Sequence, residues 1–68
     1  MKICIRVGSE TVFAYAEGQP GAGDVIIIPG SSFNPPREDV AVVVTTLHPT
    51  WRSDDDGALV PTFDATPR

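Results

Sequence analysis

The side chains able to do chemistry in this sequence are few. A nucleophile, a base and an acid can be assembled on paper from Ser31 or Ser32, His48 and one of several aspartates. That arrangement needs a serine held on a strained Gly-x-Ser-x-Gly elbow, with backbone N–H groups waiting for the oxyanion. Ser31 and Ser32 lie between Gly30 and Phe33 with no such elbow. A chain of 68 residues also leaves little room for a substrate pocket. Cys4 and His48 would form an activated thiol only if the fold joined them, and no spacing asks for that. The expectation is a protein that is not an enzyme, with His48 partly exposed at a strand end.

Metal and phosphate chemistry fare no better. Asp54, Asp55 and Asp56 precede Gly57, and adjacent carboxylates before a glycine can wrap a hard cation such as calcium. Calcium loops of the EF-hand type place ligands at alternating positions and end on a glutamate, whereas these three are consecutive and no glutamate follows. They read as a solvated polar turn. With one cysteine and one histidine in the chain, a four-ligand thiolate–imidazole cage cannot be built. The glycine-rich stretch 18–23 lacks the Lys-Ser/Thr of a phosphate-binding loop and opens onto a strand rather than a helix N-terminus. No cofactor, metal or small-molecule substrate is expected.

Composition narrows the partners. The net charge is −4, and the five basic residues, Lys2, Arg6, Arg37, Arg52 and Arg68, are scattered singly. They form no patch that would track a phosphate backbone, so nucleic acid is disfavoured. Phe13 and Tyr15 share one face of a strand and would suit base stacking in an OB-like single-stranded nucleic-acid binder. Without a basic groove, they read instead as filling a barrel or its mouth. No segment approaches the roughly 20 apolar residues of a membrane span. The charge at Arg6 interrupts any signal-peptide core. The expected setting is cytoplasmic, or a virion if the chain is phage-encoded.

The elements that must position these residues are strands. Residues 2–7 alternate apolar and polar side chains, the period of a half-buried strand, and residues 11–17 follow as its hairpin partner after a turn at Gly8–Glu10. Residues 24–29 form a third strand ended by Pro29 and Gly30. Residues 31–38 are loop, because Pro35 and Pro36 forbid helix. Residues 39–48 form the longest strand, 50–57 a polar turn, and 58–63 a fifth strand weakened by Pro61. Residues 64–68 are expected to fray. No window has helical periodicity, and one 3₁₀ turn at 53–57 is the most the pattern allows. The fold class is all-β: one domain over residues 1–63, a small, strongly bent five-stranded antiparallel sheet or an SH3-like or OB-like barrel.

The feature with functional content is the uninterrupted apolar run Val25, Ile26, Ile27 and Ile28, nearly repeated at Val40–Val44. A strand buried on one face alternates, whereas one buried on both does not. This chain has no helix to cover a second face. Three readings are open: bending wraps the strand inside one chain, one face is an interface, or the patch is simply exposed. A chain this short hides only about 60% of its unfolded surface. Lacking a disulfide or structural metal, it would gain stability chiefly from association. Trp51 and Arg52, of types enriched in binding hot spots, are a second contact candidate.

The function expected is a non-enzymatic protein-interaction or structural accessory module, of the layout phages and mobile elements encode. It would self-associate or dock onto a larger assembly through Val25, Ile26, Ile27, Ile28, Trp51 and Arg52, its partner being another protein or identical chains. The alternative from another class is an acidic inhibitor that occupies the basic nucleic-acid site of a host protein, using Glu38, Asp39, Asp54–Asp56 and Asp64.

Overall fold

A computed structural model describes the whole chain, Met1 to Arg68. The alternating segment forms β1 (Lys2–Val7) and turns through Gly8 and Ser9 into β2 (Glu10–Tyr15). Gly8 has φ of 60° while Ser9 does not have a positive φ. That is the pattern of a type II′ turn, whose twist matches an antiparallel hairpin. There follow β3 (Val25–Ile28), a single 3₁₀ turn at Gly30–Ser32, β4 (Val40–Val44), β5 (Thr50–Ser53) and β6 (Leu59–Pro67).

All strands join one sheet in the order β2-β1-β6-β4-β3, with β5 also paired to β6. The centre is β6. It runs parallel to β1 over Thr62–Ala65 and antiparallel to β5 over Leu59–Thr62 and to β4 over Ala65–Pro67. β4 and β5 therefore occupy one edge of β6 in succession. The sheet curls into a half-barrel with β2 and β3 at its two ends.

The class read from the sequence, a small and strongly bent all-β sheet without α-helix, is the class observed. Its details differ. The strands are six and not five, the β1–β6 pairing is parallel, and the helical turn falls at Gly30–Ser32. Residues 50–53, expected as turn, are a strand because β6 supplies main-chain partners even though all four side chains stay exposed. Residues 64–67, expected to fray, continue β6. Their pairing with β4, and the hydrogen bond from Arg68 N to Ala41 O at 2.9 Å, hold them in the sheet.

Two prolines fit within β6 because of parity. Antiparallel residues alternate between hydrogen-bonded and non-bonded pairs. Asp54 N donates to Ala58 O, and Thr45 N donates to Asp64 O. Counting in twos from those bonds, Pro61 and Pro67 both fall in non-bonded positions, where the missing N–H removes nothing from the ladder to β5 or β4. β1 begins to pair with β6 at Thr62, one residue beyond Pro61.

The core lies on the concave face. β1 contributes Ile3 and Ile5, β2 Val12 and Ala14, β3 Ile28, β4 Val42 and Val44, and β6 Phe63 and Ala65. Phe33, from the proline-rich segment, completes it. That segment is drawn tight at Gly30, where an added Cβ would lie 1.6 Å from the Arg37 carbonyl oxygen. Arg37 then stacks over the Phe33 ring at 4.1 Å and pairs with Glu10 of β2. The strap thus runs from the end of β3 to β2, across the open side of the half-barrel.

Candidate functional site

The apolar run of β3 resolves into two faces. Ile28 is fully buried and Ile26 packs partly buried against the core, whereas Val25 is 46% and Ile27 59% exposed. Of the four residues expected to form a contact, only Val25 and Ile27 present side chains outward; Ile26 and Ile28 belong to the core. Strand alternation is intact, and composition conceals it because both faces carry β-branched residues.

The main chain follows the same parity. Val44 N donates to Asp24 O at 2.9 Å. Stepping by two, Ile26 and Ile28 turn their N–H and C=O groups toward their β4 partners Val42 and Val40. Val25 and Ile27 turn theirs to the free edge, since β3 is a terminal strand. The same two residues therefore offer exposed apolar side chains and unpaired main-chain groups. Beside them on the outer face stand their partners on β4, half-buried Val43 opposite Val25 and Ala41 opposite Ile27. Ala41 and Val43 were not singled out from sequence. Their facing depends on the β3–β4 register, which no local pattern encodes.

Carboxylates flank this block. Asp24 precedes Val25 and accepts a hydrogen bond from Gly21 N at 2.7 Å. Glu38 and Asp39 precede Val40, the residue opposite Ile28, and Asp39 Oδ1 accepts from Gly30 N at 2.8 Å. The only ion pairs are Lys2 with Asp54, Arg6 with Asp64 and Arg37 with Glu10. Glu17, Asp24, Glu38, Asp39, Asp55 and Asp56 are left without a basic partner. The acidic group proposed for an inhibitor is thus divided, with Asp54 and Asp64 neutralised by bases of β1.

Trp51 and Arg52 do not form one patch. As neighbours on β5 they point to opposite faces: Trp51, 55% exposed, lies opposite Pro61, and Arg52 lies opposite Val60. The Arg52 guanidinium reaches over the outer face to within 4.0 Å of Cys4 Sγ. Cys4 is fully buried there beside its β6 neighbour Thr62, whose buried Oγ1 has no hydrogen-bond partner. Phe13 and Tyr15 also face outward rather than filling the barrel, because Val12 and Ala14 are the residues opposite Ile5 and Ile3. Lys2 Nζ sits 4.7 Å above the Phe13 ring, and Tyr15 is 78% exposed.

Asp54 organises its own turn. Oδ1 accepts from Asp56 N and Ala58 N, both at 2.9 Å, and Oδ2 meets Lys2 Nζ at 3.1 Å. Gly57 supplies the positive φ of 82° that the turn needs. The Lys2 hydrogen bond is the main influence holding the Asp54 carboxyl below its ordinary value, and the same bond raises Lys2. This is a folded hairpin end. No three His, Cys, Asp or Glu side chains converge anywhere in the chain. His48 is exposed in the connection between β4 and β5, and no hydrogen bond links it to Ser31, Ser32 or an aspartate.

No protein-family model matches the chain, and no significant match is found among curated proteins or solved structures. No helix is long and apolar enough to cross a membrane.

Proposed function

We propose that the chain is a protein-interaction module without catalytic activity, docking through the free edge of β3 and the outer block Val25, Ile27, Ala41 and Val43. The observation that carries this reading is the coincidence at Val25 and Ile27 of exposed β-branched side chains with outward main-chain donors and acceptors. Such an edge accepts an added strand: hydrogen bonds supply affinity, and alternate side chains supply selectivity. A bare apolar edge is also a liability that proteins usually blunt with charge, proline or a bulge. β3 is blunted only at its ends, where Gly23 and Asp24 bulge against Val44 and where Pro29 follows Ile28, and it carries no charge between Val25 and Ile28. Half-exposing each side chain leaves on the order of 1 kcal/mol of burial unrealised in the isolated chain, and docking recovers it.

The test compares the chain with its Ile27→Lys variant, which charges the outer face while leaving Ile26 and Ile28 in the core. Each is used as bait in the native host, and light scattering is run at tens of micromolar. Proteins retained by the original chain and lost with Ile27→Lys, or a dimer that Ile27→Lys converts to monomer, support the reading. Identical capture and identical mass for the two baits overturn it.

A further inference from the structure

Two donors without acceptors meet a lone thiol on the outer face of β1 and β6. We infer that Cys4 is a site of reversible oxidation by a hydroperoxide, and that Arg52 and Thr62 hold the sulfenic acid so formed. This site stands apart from the β3 edge and from any partner bound there.

Cys4 lies in register between Phe13 of β2 and Thr62 of β6, with none of its surface exposed. Thr62 is 5% exposed, and its Oγ1 has no hydrogen-bond partner. A buried hydroxyl left in that state is costly and calls for a partner. The Arg52 guanidinium completes the site, with Nη1 4.0 Å from Sγ. Lys2 and Arg6, the neighbours of Cys4 on the same face of β1, are bound to Asp54 and Asp64. Arg52 has no carboxylate within ion-pair distance. Its charge is turned onto the only cysteine of the chain.

A thiol answers neither donor well, because its sulfur is a weak acceptor. One oxygen on Sγ answers both. It accepts from Arg52 and from the Thr62 hydroxyl, and as a sulfenate it carries the anion that Arg52 lacks. The step balances with one oxidant. The Cys4 sulfur, as thiolate, attacks a peroxide oxygen, and the S–O bond forms as the O–O bond breaks. Sulfur gives up two electrons to the peroxide, and the departing hydroxide combines with the proton shed by the thiol to give water. Two equivalents of a small thiol reverse the change, restoring Cys4 and releasing a disulfide and water. Arg52 closes over the thiol from a strand whose side chains are all exposed, so its swing admits a molecule as small as hydrogen peroxide. With no second cysteine in the chain to form a disulfide, the sulfur stays a sulfenic acid.

The test gives hydrogen peroxide to the unsubstituted chain and to its Thr62→Val and Arg52→Leu variants, and follows intact mass. Expected in the unsubstituted chain is a gain of one oxygen, mapped to Cys4 by fragmentation and removed by dithiothreitol. That removal separates it from a sulfoxide at Met1, which dithiothreitol leaves in place. Once catalase has destroyed the peroxide, dimedone should trap the oxidised sulfur about five- to tenfold faster in Thr62→Val, the worth of one hydrogen bond. A merely structural role for Thr62 predicts the reverse, because valine removes an unpaired hydroxyl, tightens the fold and slows its opening. Arg52→Leu, which keeps a cover and removes the donors, should likewise shorten the lifetime. No oxygen on Cys4 without denaturant, direct passage to sulfinic or sulfonic acid, or a disulfide-linked dimer would overturn the inference. Equal trapping rates in all three proteins would overturn it as well.

Discussion

Cys4 and Thr62 lie side by side on the parallel strands β1 and β6, both sealed from solvent on the face opposite the main core. The thiol is an adequate small apolar filler there. The hydroxyl is not, because Thr62 Oγ1 has lost water and gained no partner. Replacing it with a methyl group keeps the shape and removes the desolvation cost. Thr62→Val is expected to stabilise the chain by about 1 kcal/mol, measured by urea denaturation at unchanged slope. A loss of stability would mean that the hydroxyl has a partner after all.

The cover over Cys4 is thin. Arg52 reaches it from β5, a strand whose four side chains are all exposed. The folded chain should react with a thiol reagent only as fast as it opens. Arg52→Ala should accelerate labelling clearly while changing global stability by no more than about 0.5 kcal/mol, as is usual for exposed positions. Equal labelling rates in the two proteins would show that the guanidinium does not shield the thiol.

The Lys2–Asp54 pair makes stability depend on pH in a defined direction. Its Asp54 side is depressed by the Lys2 hydrogen bond, so its contribution is complete above the ordinary carboxylate value of 3.8. It is lost as the pH falls through the lower folded value. The Lys2 side is raised by the same bond, so its contribution is complete below 10.5 and is lost as the pH rises through the higher folded value. Lys2→Met should return the Asp54 midpoint toward 3.8 in an NMR titration and flatten both limbs of the stability profile. An Asp54 midpoint at or above 3.8 in the unsubstituted chain would refute the pairing.

Adjacent isoleucines on β3 should respond very differently to truncation. Ile28→Ala removes a side chain sealed in the core and should cost about 2–4 kcal/mol, enough to unfold much of so small a domain. Ile27→Ala acts on a side chain facing outward and should cost less than about 1 kcal/mol in the isolated chain. Thermal melts of the two variants check the facing of the whole strand, since a register slip of one residue would exchange the results.

Much of this architecture was legible in the residues. The alternation of residues 2–7 and the glycine of the following turn specify the first hairpin, because both signals are local. The run Val25–Ile28 is legible as a strand, but its two faces look alike in composition, and only the register with β4 separates Ile27 from Ile28. The fourth strand stops at Val44 and not at residue 48. There Thr45 N and Thr45 Oγ1 both donate to Asp64 O, and Thr46 Oγ1 accepts from Asp64 N at 2.7 Å. Those threonine contacts reach across the sheet, beyond any local window. β5 was hidden because an edge strand with no buried side chain leaves no hydrophobic signature. Phe33 was hidden because the prolines around it announce a loop and say nothing of its return to the core. For the candidate surface, the sequence pointed to the right strand and not to its outward residues, and it joined Trp51 and Arg52 in a patch that strand alternation divides.

The position of β6 in the chain bears on how the molecule comes to be folded. The strand that joins the sheet together follows all its partners in the sequence. Until residues 59–67 pair, β1–β2 and β3–β4 are two separate ribbons, and a lone two-stranded ribbon is marginal in water. Assembly therefore waits for one late event that closes several long loops at once. This predicts slow, concerted kinetics typical of non-local β topologies.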